Sequence, residues 1–291
     1  MVGKALLIGV NNVDPNPEGH YQGWDGALRF PERDAMAIAD ITEKQGFKNT
    51  LLLTMDATRA AIKDAISLAA DELTSGDIFL IYYSGHGNTF TDPDGESWDK
   101  GTDETLCVYD RQLMDDELAI LWPRFDKEVR VLFLLDACHS GGMLDRGVSL
   151  KLEAEEKVGE VTHENLEDSK GGLVAKTMDA KSAEKIVKAD PKVYKNIREG
   201  IGAMPKSSEV SATIYQIAGC RDDQLSYESR ELKHGQFTNA MLDVWQEGKF
   251  EGSYMDFFEV IDSKMPDYQN PRFRTLGPIH SQFASESPFN I

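Results

Sequence analysis

Two short stretches carry residue types that could break a peptide bond. The first, Asp136-Ala137-Cys138-His139-Ser140-Gly141-Gly142, follows a nearly unbroken apolar run over residues 129–135. Such a run suits a strand buried on both faces of a parallel sheet. The small residues after it let the backbone turn sharply and approach a ligand. A cysteine at the C-terminal end of a central parallel strand stands where open α/β sheets build their sites. A lone cysteine is more often a small buried hydrophobe, and a second stretch weighs against that reading here. Residues 78–83 form another apolar run, which ends in Ser84-Gly85-His86-Gly87. Two parallel neighbours ending in this way would set an imidazole beside a thiol. The imidazolium stabilises a thiolate and lowers the thiol pKa, which makes a nucleophile near neutral pH.

The elements that must position this pair follow an alternating rhythm. Residues 4–10 predict a first strand and 11–26 a loop rich in Pro, Gly and Asn. The spacing of Ala35, Ile38, Ala39 and Ile41 predicts a helix over 34–45. A short strand at 50–53 leads to a second helix over 58–73, spaced by Ile62, Ile66, Ala69 and Ala70. This βαβαβ order is the signature of a parallel sheet. Residues 88–104 read as a loop and 115–125 as the crossover helix, with Asp115 and Asp116 in its first turn, where acids suit the helix dipole. Residues 212–219 predict a further strand, and 237–246 and 254–264 two amphipathic helices. The tail, 276–289, is expected to return to the sheet or to cover it.

Composition sets further bounds. The 291 residues suffice for a full core and carry a net charge of −19, which argues against nucleic acid as a partner. The charge is uneven: residues 146–210 hold 12 basic and 12 acidic side chains, so the rest of the chain carries the whole deficit. Within 146–210 the periodic pattern is lost, and the stretch is expected to be an exposed, mobile, Lys-rich linker with weak helical character over 179–198. Three cysteines without CxxC spacing, Cys107, Cys138 and Cys220, suit a reducing compartment and no disulfide framework. The apolar run at residues 5–10 is too short for a signal segment or a membrane span, so a cytoplasmic protein that engages no membrane is expected.

The two motifs, Tyr82-Tyr83-Ser84-Gly85-His86-Gly87 and Asp136 to Gly142, resemble those of caspase-like cysteine peptidases, specifically the metacaspase branch. The spacing of about 50 residues between His and Cys is that of caspases. The resemblance covers nearly the whole chain outside the linker and implies an α/β, caspase-like fold, a mostly parallel sheet with helices on both faces. It divides the chain into a large region over 1–145, the linker over 146–210 as a candidate for self-cleavage, and a small region over 211–291 completing the same domain. It implies Cys138 as nucleophile, His86 as general acid and base, and the backbone N–H groups of Gly87 and Cys138 as the oxyanion site. His139 is adjacent to the nucleophile, but a neighbour on an extended turn points elsewhere.

Further implications concern charge. Asp34, Ser84 and Asp136 match the S1 pocket of metacaspases, where two carboxylates would favour Arg or Lys in a peptide or protein substrate. Pro31 stands where the family usually has a cysteine. Asp103, Asp115, Asp116 and Asp145 match calcium-binding aspartates, with Asp99 as the substitute for Asp103, which implies stimulation by Ca2+. Relatives in this branch commonly act as monomers. Two other readings stay open at this point: an aspartate-directed caspase, disfavoured by Asp136 and Asp34, and a non-catalytic scaffold of the same fold, disfavoured by the intact Cys138 and His86.

Overall fold

A computed structural model of the chain describes residues 1–91, 102–139, 143–144, 148–149, 172–190, 192–202, 205–221, 223–278 and 280–291. In chain order the strands are β1 (Gly3–Gly9), β2 (Lys48–Leu53), β3 (Ile78–Ser84), β4 (Gly87–Thr91), β5 (Thr102–Cys107), β6 (Gln112–Met114), β7 (Arg130–Asp136), β8 (Val148–Ser149), β9 (Leu173–Ala175), β10 (Thr213–Ala218), β11 (Tyr227–Ser229), β12 (His234–Gly235) and β13 (Arg272–Leu276). The helices are α1 (Pro31–Lys44), α2 (Arg59–Glu72), α3 (Asp115–Ala119), α4 (Ala180–Ala189), α5 (Val193–Ile201), α6 (Gln236–Trp245), α7 (Tyr254–Lys264) and α8 (Ser281–Ser285).

The main sheet has the order β2-β1-β3-β7-β10-β13-β8. Its first five members run parallel, β13 is antiparallel to β10, and β8 is antiparallel to β13. This is the α/β, caspase-like architecture. Every residue of β3, β7 and β10 is buried, as continuous apolar runs require in a sheet covered on both faces. One apolar layer contains α2 residues Ile62 and Ile66 against Phe79, Ile81 and Phe133. The other contains α1, α6 and α7 residues against Leu80, Tyr82, Leu134 and Ile217.

Four departures from the expected elements matter. The helix predicted from residue 34 begins at Pro31, because proline suits the first turn, where its missing N–H costs nothing. Residues expected to form a loop after His86 include β4 and β5, which with β6 make a small antiparallel sheet beside the main one. Within the linker, described residues form β9, α4 and α5, so this part is structured, and Lys176, Met178 and Ile186 are buried in it. The crossover helix is also shorter than expected, with α3 ending at Ala119 and a single 3-10 turn at Trp122–Arg124. Among the described residues, no helix is long and apolar enough to cross a membrane.

The His86 loop is pinned from below. The buried Tyr83 hydroxyl lies 2.8 Å from the His86 carbonyl and 3.0 Å from that of Cys107, and the Cys107 N–H donates to His86 O at 2.9 Å. Removing the hydroxyl leaves a buried carbonyl short of a donor, a loss of about 1–2 kcal/mol. Tyr83→Phe should therefore lower unfolding stability by that amount in a urea titration, with an unchanged m-value.

Candidate active site

Strand register brings the two motifs together. Ser84 on β3 is paired with Asp136 on β7, so His86 and Cys138 each lie two residues beyond the same rung, at the C-terminal edge of the sheet. His86 Nε2 faces the Gly26 carbonyl at 3.1 Å, and Trp24 packs against the ring at 5.0 Å between centroids. With the proton on Nε2, the lone pair is on Nδ1, a buried atom with no hydrogen-bond partner of its own, close to the backbone of Lys176 and Thr177. His139 has a left-handed φ of +49°, a sharp turn immediately after the cysteine. Gly87 must lack a side chain, since a Cβ there would overlap the Cys138 carbonyl.

The linker crosses this centre as an extended strand. Strand β9 pairs antiparallel with β11, aligning Ala175 with Tyr227 and Leu173 with Ser229. The next residue, Lys176, donates its N–H to Ser226 O at 2.8 Å. Its own carbonyl accepts from Gly87 N at 3.0 Å and from Cys138 N at 3.3 Å. Two convergent backbone donors on one carbonyl form an oxyanion-type cradle. The Lys176 side chain turns the other way and is fully buried. Its Nζ lies 3.0 Å from Asp136 Oδ1, 2.9 Å from Ser84 Oγ, 3.2 Å from Asp136 O and 3.5 Å from Asp34 Oδ2. Burial alone would lower the ammonium pKa, but the Asp136 and Asp34 charges carry it above its ordinary value.

Both carboxylates are held by groups distant in sequence. Asp136 Oδ1 accepts from Ser226 Oγ at 2.8 Å, and Oδ2 from Thr238 N at 3.1 Å and Thr238 Oγ1 at 2.5 Å. Asp34 Oδ1 lies 2.7 Å from His234 Nδ1, and Oδ2 accepts from Gly235 N at 3.1 Å and Ser84 Oγ at 2.9 Å. A Cβ on Gly235 would collide with Asp136 and Lys176 Nζ, so a bare backbone floors the pocket. Buried Glu228 accepts from the N–H groups of Arg29 and Phe30 at the entrance to α1, which ties β11 to the helix bearing Asp34. Sequence reasoning missed Gly26, Ser226, Glu228, His234 and Thr238 as site residues.

In this state burial disfavours the charged forms of both Cys138 and His86. Burial pushes the Cys138 thiol up to about 12, against the downward pull of the Ser226 backbone and the Lys176 charge. Burial likewise takes His86 down to about 4. The thiol is engaged with Ser226: Sγ accepts from its N–H at 3.0 Å and lies 3.3 Å from its carbonyl.

The carboxylates expected to bind calcium are partly brought together. Asp103 and Asp116 converge on Arg198 of α5, the first through Nη2 and the second through Nε at 3.5 Å. Asp115 Oδ1 accepts from the Asp116 N–H at 2.9 Å. Asp145 and Asp99 lie outside the described residues. Among the described residues, no three His, Cys, Asp or Glu side chains gather as a metal site. In this arrangement the Arg198 guanidinium lies between the Asp103 and Asp116 carboxylates.

A cysteine and a histidine on adjacent parallel strand ends, with an oxyanion cradle and an acidic pocket, define a caspase-type centre. A family profile described as the caspase domain matches residues 2–282, and the chain belongs to that family. It is 36% identical to a Geobacter sulfurreducens protein of known crystal structure, with a TM-score of 0.82 over 100% of this chain and 99% of that one. It is also similar to Metacaspase-4 of Arabidopsis thaliana, 32% identical over 58% of this chain and 39% of the relative. Metacaspase-1 of Schizosaccharomyces pombe is 25% identical over 89% of this chain and 62% of its own length. The chain thus spans less than two thirds of these curated relatives.

The neutral pair has a measurable consequence. A thiol reacts as its thiolate, so a raised pKa shifts alkylation to alkaline pH. In the intact chain, iodoacetamide labelling of Cys138, followed by peptide mass spectrometry, should keep rising beyond pH 9. A plateau below pH 8 would contradict the buried, neutral thiol.

Proposed function

We propose that the chain is a cysteine endopeptidase that cuts proteins after lysine or arginine, and that its own Lys176–Thr177 bond is its first substrate. The observation that carries this reading is the double seating of Lys176, ammonium between Asp34 and Asp136, carbonyl between the N–H groups of Gly87 and Cys138. That is how a P1 residue must lie for attack on the bond that follows it.

The chemistry is acyl transfer. Cys138 Sγ, its proton passed to His86 Nδ1, attacks the P1 carbonyl carbon, and Gly87 and Cys138 N–H groups stabilise the oxyanion. The C–N bond breaks, the leaving amine takes the proton from His86, and a thioester remains. Water, deprotonated by His86, then hydrolyses the thioester and regenerates the thiol. The Gly26 carbonyl holds the imidazole in the tautomer this requires.

Electrostatics supports the basic P1 preference. A P1 aspartate would add a third carboxylate to a pocket already walled by two, without a counter-ion. A guanidinium or ammonium supplies one. The proposal extends to calcium as the stimulating cation. The cationic position shared by Asp103 and Asp116 supports it, and the hold of Arg198 on that position opposes it. Three buried cysteines outside any disulfide suit a reducing compartment such as the cytosol.

Incubation of the purified chain should yield one early cut between Lys176 and Thr177, identified by mass spectrometry and absent from Cys138→Ala. Lys176→Glu should abolish that cut and Lys176→Arg should retain it. Early cleavage elsewhere in residues 146–210, with Lys176–Thr177 intact, would remove the self-substrate reading. The same incubation with calcium or with a chelator tests the cation: equal rates would dismiss it. On fluorogenic peptides, Asp136→Ala should lower kcat/KM for P1 Lys and Arg at least about a hundredfold, the scale of a lost buried ion pair. Wild type should leave P1 Asp uncut.

A further inference from the structure

The strand that crosses the centre buries two of its side chains. Over residues 173–178, Lys176 is fully buried and Met178 is 4% exposed, whereas Leu173, Val174, Ala175 and Thr177 remain partly accessible. The apolar residues before Lys176 are therefore less enclosed than the one beyond Thr177. The alternation is that of an extended chain, whose successive side chains point to opposite sides. Thr177 keeps the chain extended through a parallel bridge to Gly87. Met178 then leaves the surface and joins the same apolar cluster as Leu106, Cys107 and Ile186.

The walls of this second recess are largely built before any substrate arrives. Asn88 on β4 is buried, and its Nδ2 lies 3.9 Å from Met178 Sδ. The same amide lies 3.4 Å from Gln112 Oε1 on β6. Thr105 Oγ1 on β5 lies 2.8 Å from Gln112 Oε1 and 3.1 Å from Asn88 O, closing the network across the small sheet. The sheet β4-β5-β6 thus forms one side of the recess. Ile186 of α4 belongs to the same apolar cluster as Met178, and the N-cap of that helix, Asp179, follows Met178 directly.

We propose that this recess is an S2′ subsite, and that the substrates of the processed enzyme are polypeptides with lysine or arginine at P1 and a long, unbranched apolar side chain, methionine or leucine, at P2′. The assignment rests on the reading of Lys176–Thr177 as a bound substrate bond. Methionine suits an irregular recess with a polar rim, because its thioether is flexible and a weak acceptor. A carboxylate there would be buried beside the amide oxygen of Gln112 and the apolar cluster, without a cation. Glycine would leave the recess empty. Discrimination on the product side of the bond would add to selection at P1, since specificity is a difference of transition-state affinities.

The test uses the chain already cut at Lys176 and internally quenched octapeptides of sequence Leu-Val-Ala-Lys-Thr-X-Asp-Ala. A P1-Lys coumarin amide, which has no P2′ residue, serves as the control. With X as Met or Leu, kcat/KM should exceed that for X as Gly or Asp by about tenfold or more, the usual scale for filling an apolar pocket. Asn88→Asp should shift preference among the octapeptides toward X as Lys, each rate being taken relative to the coumarin amide rate of the same variant. Equal kcat/KM for all X, with the coumarin amide cut, would overturn the subsite and leave the P1 reading standing. No cleavage of any substrate, the amide included, would overturn both.

Discussion

The active centre is organised around one buried ammonium. Lys176 has no exposed surface, and Asp34, Ser84 and Asp136 surround its Nζ. Burying such an ion costs several kcal/mol unless charges and hydrogen bonds replace its water. Here both carboxylates are themselves held, Asp136 by Ser226 and Thr238, and Asp34 by His234 and Gly235. The arrangement fixes register as well as affinity. A slip of the strand by one residue would set Ala175 or Thr177 against the carboxylates and leave two buried charges unpaired. It would also move the Lys176 carbonyl out of reach of the Gly87 and Cys138 N–H groups. On the proposed reading, the acidic pocket therefore decides which peptide bond faces the thiol.

Sheet geometry makes that decision useful. Ser84 and Asp136 are rung partners that contribute to the pocket, and His86 and Cys138 stand two residues further along the same strands. A single register thus sets the pocket and the reacting pair at a fixed spacing. Rigid, fully buried strands hold that spacing better than loops would. Gly87 serves the same end: without a Cβ it approaches the Cys138 carbonyl closely enough for both N–H groups to reach one oxygen.

Much of this was legible because the informative residues are local. Unbroken apolar runs at 78–83 and 129–135 identify buried parallel strands, and the polar endings identify the sheet edge where sites form. Asp34, Ser84 and Asp136 are legible through resemblance to a family rather than through physics. The rest depends on distance along the chain. Ser226 meets Asp136 across 90 residues and His234 meets Asp34 across 200, separations that no local pattern encodes. Lys176 is one of 12 basic residues between 146 and 210, and tertiary packing alone distinguishes it from the others. Strands β4 and β5 escaped notice because Thr, Asn, Asp and Glu interrupt them and they belong to a small sheet supported by its neighbours. Helix α5 has no buried residue of its own, and the weak helical character expected over 179–198 is all that marks it in the sequence.

The same burial that displays a substrate-like pose also restrains the chemistry. On the proposed reading, attack requires the Cys138 proton to move to His86, and both groups are shifted against that transfer, the thiol to about 12 and the imidazole to about 4. Desolvation is the largest cause in each case. The covering segment continues past the centre through Thr177 and Met178, so the chain that seats the P1 residue also shuts out water. On the proposed reading, breaking the Lys176–Thr177 bond frees the cover at the point where it crosses the pair. Solvent then returns, the desolvation cost on thiolate and imidazolium falls, and the ion pair that makes a cysteine nucleophilic can form. The first turnover is thereby the slow one, governed by a neutral dyad under its own linker. Later turnovers meet an accessible pair and an acidic pocket whose two carboxylates are short of a cation, which is itself a driving force for taking up the next basic side chain.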